Sequence, residues 1–96
     1  MTDLEITRLC AAVMGYFTEE FAGRIHVTAR PSGNDFTYAP LTDDAQMVAL
    51  GKSDPALFSI VVREWADECE RMKGRKCDLN RLVCTAFAVQ QQGRTT

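Results

Sequence analysis

The apolar positions of this chain fall into four stretches with helical spacing and two that alternate. Over residues 3–21, Ile6, Leu9, Cys10, Val13, Phe17 and Phe21 recur at intervals of three and four, which predicts a helix with one buried face. Thr2 and Glu5 match a capping box at its start, the hydroxyl taking one orphan N–H and the carboxylate reaching back. Gly15 lies inside the pattern; there it costs about 1 kcal/mol against Ala and gives another element room to approach. Gly23 is the predicted stop.

Residues 24–30 alternate, with Ile25, Val27 and Ala29 on one face and His26, Thr28 and Arg30 on the other. Residues 31–35, rich in Pro, Ser, Gly, Asn and Asp, have turn chemistry, and residues 36–39 alternate again with Phe36 and Tyr38 on one face. These two runs predict a β-hairpin. A short helix is expected from Asp43 or Asp44 to Leu50, stopped by Gly51. Asp54 followed by Pro55 predicts the next start, an N-cap acid and then proline at the first helical position. Leu57, Phe58, Val61, Val62, Trp65, Cys69 and Met72 continue a helical stripe to Gly74. The β-branched cluster at 57–62 would also suit a strand, but the stripe runs on through 63–72 and favours helix. Asp78 caps a last helix with Leu79, Leu82, Val83, Ala86, Phe87 and Val89 on its apolar face. The expected fold is therefore α+β: an N-terminal helix, a β-hairpin, then two or three helices packed on it. Residues 1–92 form one small domain and 93–96 a polar, disordered tail.

Composition narrows the class. A chain of 96 residues with net charge -2 carries no global basic field for nucleic acid. No apolar run approaches the roughly 18 residues of a membrane span, and two acids precede the first base, unlike a secretory signal. Cys10, Cys69, Cys77 and Cys84 contain no C-x-x-C pair, and three occupy apolar helical positions. They read as reduced thiols of a cytoplasmic protein, with no spacing that favours disulfides.

Three segments in order carry a family resemblance: 13–17 (VMGYF), 36–50 (FTYAPLTDDAQMVAL) and 79–90 (LNRLVCTAFAVQ). Together they resemble the phage ABA sandwich domain family of small bacteriophage proteins. In that family a Met-Gly-aromatic step, a Pro-Ser-Thr-Asp-like helix start and an Ala-rich last helix recur. Tyr16 stands where that family usually has Trp, and Leu41 where it has Ser. The resemblance implies phage origin and an accessory role, with no single activity attached.

Few residues offer chemistry. Asp43 and Asp44 could form a carboxylate pair, but Asp43 with Gln46 fits a capping box, and adjacent carboxylates on a helix diverge by about 100°. The structural reading is preferred, as it is for Thr2, Asp54 and Asp78. His26 could join Cys69, Cys77 and Cys84 in a zinc site, yet the spacings match no zinc pattern; no metal and no cofactor are expected. No nucleophile motif or phosphate loop is present, and a single histidine leaves few routes to acid–base catalysis, so no catalytic residues are assigned. Arg71, Lys73, Arg75, Lys76 and Arg81 place five bases within eleven residues against one acid. They are either a solvated helix end or a surface for an anion or acidic partner, reinforced by the helix beginning at Asp78. Phe36 and Trp65 are expected in the core, while Tyr38, beside Pro40, is the candidate partner anchor at the surface.

The preferred expectation is a non-catalytic accessory protein of the host cytoplasm that binds and modulates a host protein. The alternatives are sequestration of a small anion or nucleotide by the 71–81 loop, and, less favoured, nucleic-acid binding. No membrane partner is expected, and a homo-oligomer is compatible with these readings.

Overall fold

A computed structural model describes residues 1–27, 36–71 and 78–95. The described residues form helix α1 (Asp3–Val13), strands β1 (Thr18–Phe21), β2 (Arg24–Val27) and β3 (Phe36–Tyr38), then helices α2 (Asp44–Ser53), α3 (Pro55–Arg71) and α4 (Leu79–Thr95). This is the expected α+β order, but with a three-stranded antiparallel sheet, β1-β2-β3, in place of a single hairpin.

The extra strand comes from the second half of the predicted first helix. Thr2 caps α1, and both arms of its box with Glu5 are made. The helix then stops early. Gly15 adopts φ +71°, while Tyr16 N–H donates to Ala11 C=O at 3.1 Å and Gly15 N–H to Ala12 C=O at 3.0 Å. That pair of bonds is a Schellman motif, which satisfies the last carbonyls and turns the chain out of the helix. Gly15 is thus a terminator rather than a tolerated interior residue. Beyond it Phe17 and Phe21 leave the buried stripe and stand 63% and 71% exposed.

Gly23 also plays a different part from the one its position in the pattern suggests. With Ala22 at φ +53° and Gly23 at φ +73°, the two form the loop of the β1–β2 hairpin. Positive φ at both positions is the turn geometry that matches strand twist. Ala22 carries the steric cost of a Cβ in that region, on the order of 1–2 kcal/mol.

β2 is central, with Ile25 opposite Glu20 on one side and Tyr38 on the other. Ile25, Val27 and Tyr38 are buried and Phe36 packs against them, so one face of the sheet lies on the core. The predicted turn at 31–35 and the strand residues 28–30 fall outside the described residues.

The region 55–71 is helical. Gly51 does not stop α2, which continues to Ser53. It is instead the point where α2 and α3 touch: a Cβ there would stand 2.5 Å from the Phe58 ring. Asp54 serves both helices, closing α2 and accepting from Leu57 N–H at 3.2 Å to open α3. Along α3, Val61 is buried and Leu57 and Phe58 pack on the core, whereas Trp65 is only half-buried.

α4 packs closely on α1 and buries Val83, Cys84, Phe87 and Ala88. Val89 faces outward, 54% exposed, because the buried stripe follows 84 and 88 rather than 86 and 89. The helix also runs on to Thr95, past the composition boundary at 92.

Candidate docking surface

The basic loop assembles less of a cationic site than its sequence suggests. Arg81 grips Asp3 with both arms of its guanidinium, Nη1 to Oδ1 at 3.0 Å and Nη2 to Oδ2 at 3.1 Å. The hydrogen bonds and charge of Arg81 hold the Asp3 carboxyl below its ordinary range. A fork occupied in this way is not free for an external anion. Arg71, at the end of α3, shares a shallow surface groove with Asp67 and Glu70, two carboxylates that offset its charge. Lys73, Arg75 and Lys76 lie outside the described residues. Asp78 accepts from Arg81 N–H at 3.1 Å and caps α4.

Tyr38 is not a surface anchor. It is 2% exposed, its ring edge-on to Tyr16 with centroids 5.4 Å apart. Its position on the core face of β3 explains this: it pairs with Ile25 beneath α1. Burial pushes its phenol well above the ordinary range, and its hydroxyl has no hydrogen-bond partner among the described residues. The adjacent thiols also belong to the core. Cys10 Sγ donates to the Cys84 carbonyl at 3.3 Å, and the Cys10 contact together with burial raises the Cys84 thiol.

The remaining chemical candidates are also tied into the fold. Asp43 accepts from Gln46 N–H at 3.0 Å as the cap of α2. Asp44 accepts from Asn80 Nδ2 at 3.1 Å, which also donates to Pro40 C=O at 3.0 Å, fastening α4 to the loop before α2. His26 stands half-buried on the sheet face away from the core, 6.2 Å from the Phe21 ring centroid. Cys84 lies in the core and Cys69 on α3, while Cys77 falls outside the described residues. Among the described residues no group of three or more His, Cys, Asp or Glu side chains is placed to hold a metal ion.

The sheet edges carry the clearest functional asymmetry. Gln46 does not complete the capping box expected of it. Its side-chain amide turns to β3 instead, accepting from Ala39 N–H and donating to Thr37 C=O at 3.1 Å. An amide donor and acceptor placed in this way reproduce what the backbone of a further strand would offer, so that edge is closed.

β1 is different. All four of its residues are exposed. The two-residue loop makes Phe21 and Arg24 a hydrogen-bonded pair, and alternation then points the N–H and C=O of Thr18 and Glu20 away from β2. No described residue pairs with those groups. Glu20 is joined to Arg8 at 2.8 Å on the core side of the strand. Glu19 and Phe21 lie on the other face, and Phe17 stands just ahead of the strand. The bare edge was hidden in the sequence because Phe17 and Phe21 fit the helical period of the preceding stripe. The signal that could have exposed it was Gly15 followed by the Ala22-Gly23 step.

A cavity of about 420 Å³ opens between the start of α1 and the sheet, bordered by Asp3, Leu4, Arg24, Ile25, Tyr38 and Thr42. Its acid is already engaged by Arg81, which leaves Arg24 as the cation on its rim. No described helix is long and apolar enough to cross a membrane. No protein-family model, no curated protein and no solved structure matches the chain.

Proposed function

We propose that this chain is a small accessory protein that acts in the cytoplasm by binding another protein, without catalysis, and that the partner docks as a strand on β1. The observation that carries the proposal is the difference between the two sheet edges: β3 is closed by Gln46, while the outward backbone groups of Thr18 and Glu20 have no partner among the described residues and are flanked by Phe17 and Phe21. An exposed edge with apolar side chains beside it is the geometry of strand addition, in which main-chain bonds give affinity and side chains give specificity. The resemblance to small phage proteins supports a host protein as the target.

Thr18→Pro tests the site. Proline there removes an N–H that faces away from β2, so the ladder to β2 stays intact. A partner retained from bacterial lysate by the wild-type chain should be lost with Thr18→Pro and with Phe21→Ser, while both variants keep their helical signal. Retention of the same partner by both variants would move the binding site elsewhere.

The cavity supports a second reading, a small anionic ligand held at Arg24. Thermal shift against a panel of nucleotides and small carboxylates checks it; a ligand that raises the melting temperature of wild type but not of Arg24→Ala would favour this reading.

A further inference from the structure

Resting on the strand-docking reading, we infer that the segment received by β1 alternates apolar–x–basic–x–apolar, its basic residue opposite Glu19. The register divides the strand into two faces. Thr18 and Glu20 stand opposite Val27 and Ile25, on the core side; Glu19 and Phe21 stand opposite His26 and Arg24, on the outer side. The two acids therefore differ in what they offer. Glu20 already has its cation in Arg8, at 2.8 Å. Glu19 has no ion-pair partner among the described residues, so it is the open charge on the edge. Residues directly opposite across an antiparallel ladder interact strongly enough to select for opposite charge.

The apolar positions follow from the same alternation. Phe21 is two residues beyond Glu19 and Phe17 two residues before it, and both are largely exposed. An incoming strand that puts a basic residue beside Glu19 brings its own positions two before and two after against these rings. The positions between them meet Thr18 and the neutralised Glu20 and are left unspecified. The pattern reads the same in both directions, so it holds whichever way the partner strand runs.

A second copy of the chain is the occupant that charge disfavours. The two-fold register centred on Glu19 sets Glu19 against Glu19, and like charges directly opposite destabilise a pair. In that register the edge is protected against its own kind while remaining open to a basic strand.

The test uses the full chain, isotope-labelled for NMR, with two short synthetic peptides, Thr-Val-Thr-Lys-Thr-Val-Thr and its counterpart with Glu at the centre. The lysine peptide is expected to shift the amides of Thr18–Phe21 and to bind about three- to tenfold more tightly than the glutamate peptide. Glu19→Lys, at an exposed position, should reverse that preference with the fold unchanged. If both peptides bind β1 equally, the pattern is wrong and strand docking stands. If neither perturbs Thr18–Phe21, strand docking itself falls and the pattern with it.

Discussion

The two margins of the sheet solve the same problem in opposite ways. At β3 a single side chain, Gln46, fills the place of a missing strand, and the strand beneath it is held by a buried Tyr38 and a half-buried Phe36. At β1 the same kind of backbone is left open among the described residues, and every residue of the strand is exposed. The difference separates structural work from the recognition proposed for β1. The β3 margin is part of the core and pins α2 to the sheet. The β1 margin is attached through its hairpin ladder and the Arg8–Glu20 pair, and contributes little burial of its own.

If that division is right, substitutions at the two margins must differ sharply in cost. Tyr38→Ala on β3 should lose about 3–5 kcal/mol in chemical denaturation, the usual loss for a large buried aromatic. Tyr38→Phe should instead be neutral or stabilising by up to about 1 kcal/mol, because the hydroxyl it removes is buried without a partner among the described residues. A large loss in both variants would mean that the hydroxyl is satisfied after all.

Gln46→Ala should cost about 1–2 kcal/mol and uncover a second edge. Analytical ultracentrifugation would then show concentration-dependent association absent from wild type; unchanged stability and a clean monomer would end the edge-closing role of Gln46. Asp43→Ala, which removes the α2 cap but spares the sheet, should lose about 1 kcal/mol, read from the denaturation midpoint at constant slope.

An acid titration tests the tie between α1 and α4. Asp3 is held below its ordinary value of 3.8 by Arg81, so the folded chain binds that proton less readily than the unfolded one. Its contribution is present above the ordinary carboxylate range and is lost as pH falls through the depressed folded value. Arg81→Gln should flatten this part of the stability profile. Smallest of all, Phe21→Ala on β1 should stay within about 0.5 kcal/mol of wild type. A loss comparable to that of Tyr38→Ala would show that β1 is core after all and erase the contrast.

Most of the helical order was legible from periodicity. Asp54-Pro55 opens a helix where expected, and the stripe from Leu57 to Cys69 runs as helix despite its β-branched residues, because its period extends well beyond strand length. The first helix was over-extended because Phe17 and Phe21 keep a four-residue interval across a chain reversal. Spacing alone does not distinguish a continuing helix from one that ends at a glycine in the left-handed region. The caps were readable because their bonds are local. Tyr38 reads as a surface residue because its burial depends on Tyr16 and α1, far away in sequence, while the sequence shows only a tyrosine close to a proline. The Gln46 side chain passes over the cap three residues before it and bonds β3, seven and nine residues back. The open β1 edge is the least legible feature, since an open strand edge is a property of what does not come beside it.

The close packing of α1 on α4 has a consequence for biosynthesis. Cys10 and Cys84, in contact in the core, are separated by 74 positions. During translation the first helix emerges long before the last. Until α4 follows, Ile6, Cys10 and Ala11 lack the surface that buries much of their face. A chain interrupted between these helices would present an adhesive apolar strip, so its fate depends on how quickly the final segment is supplied or the fragment is cleared.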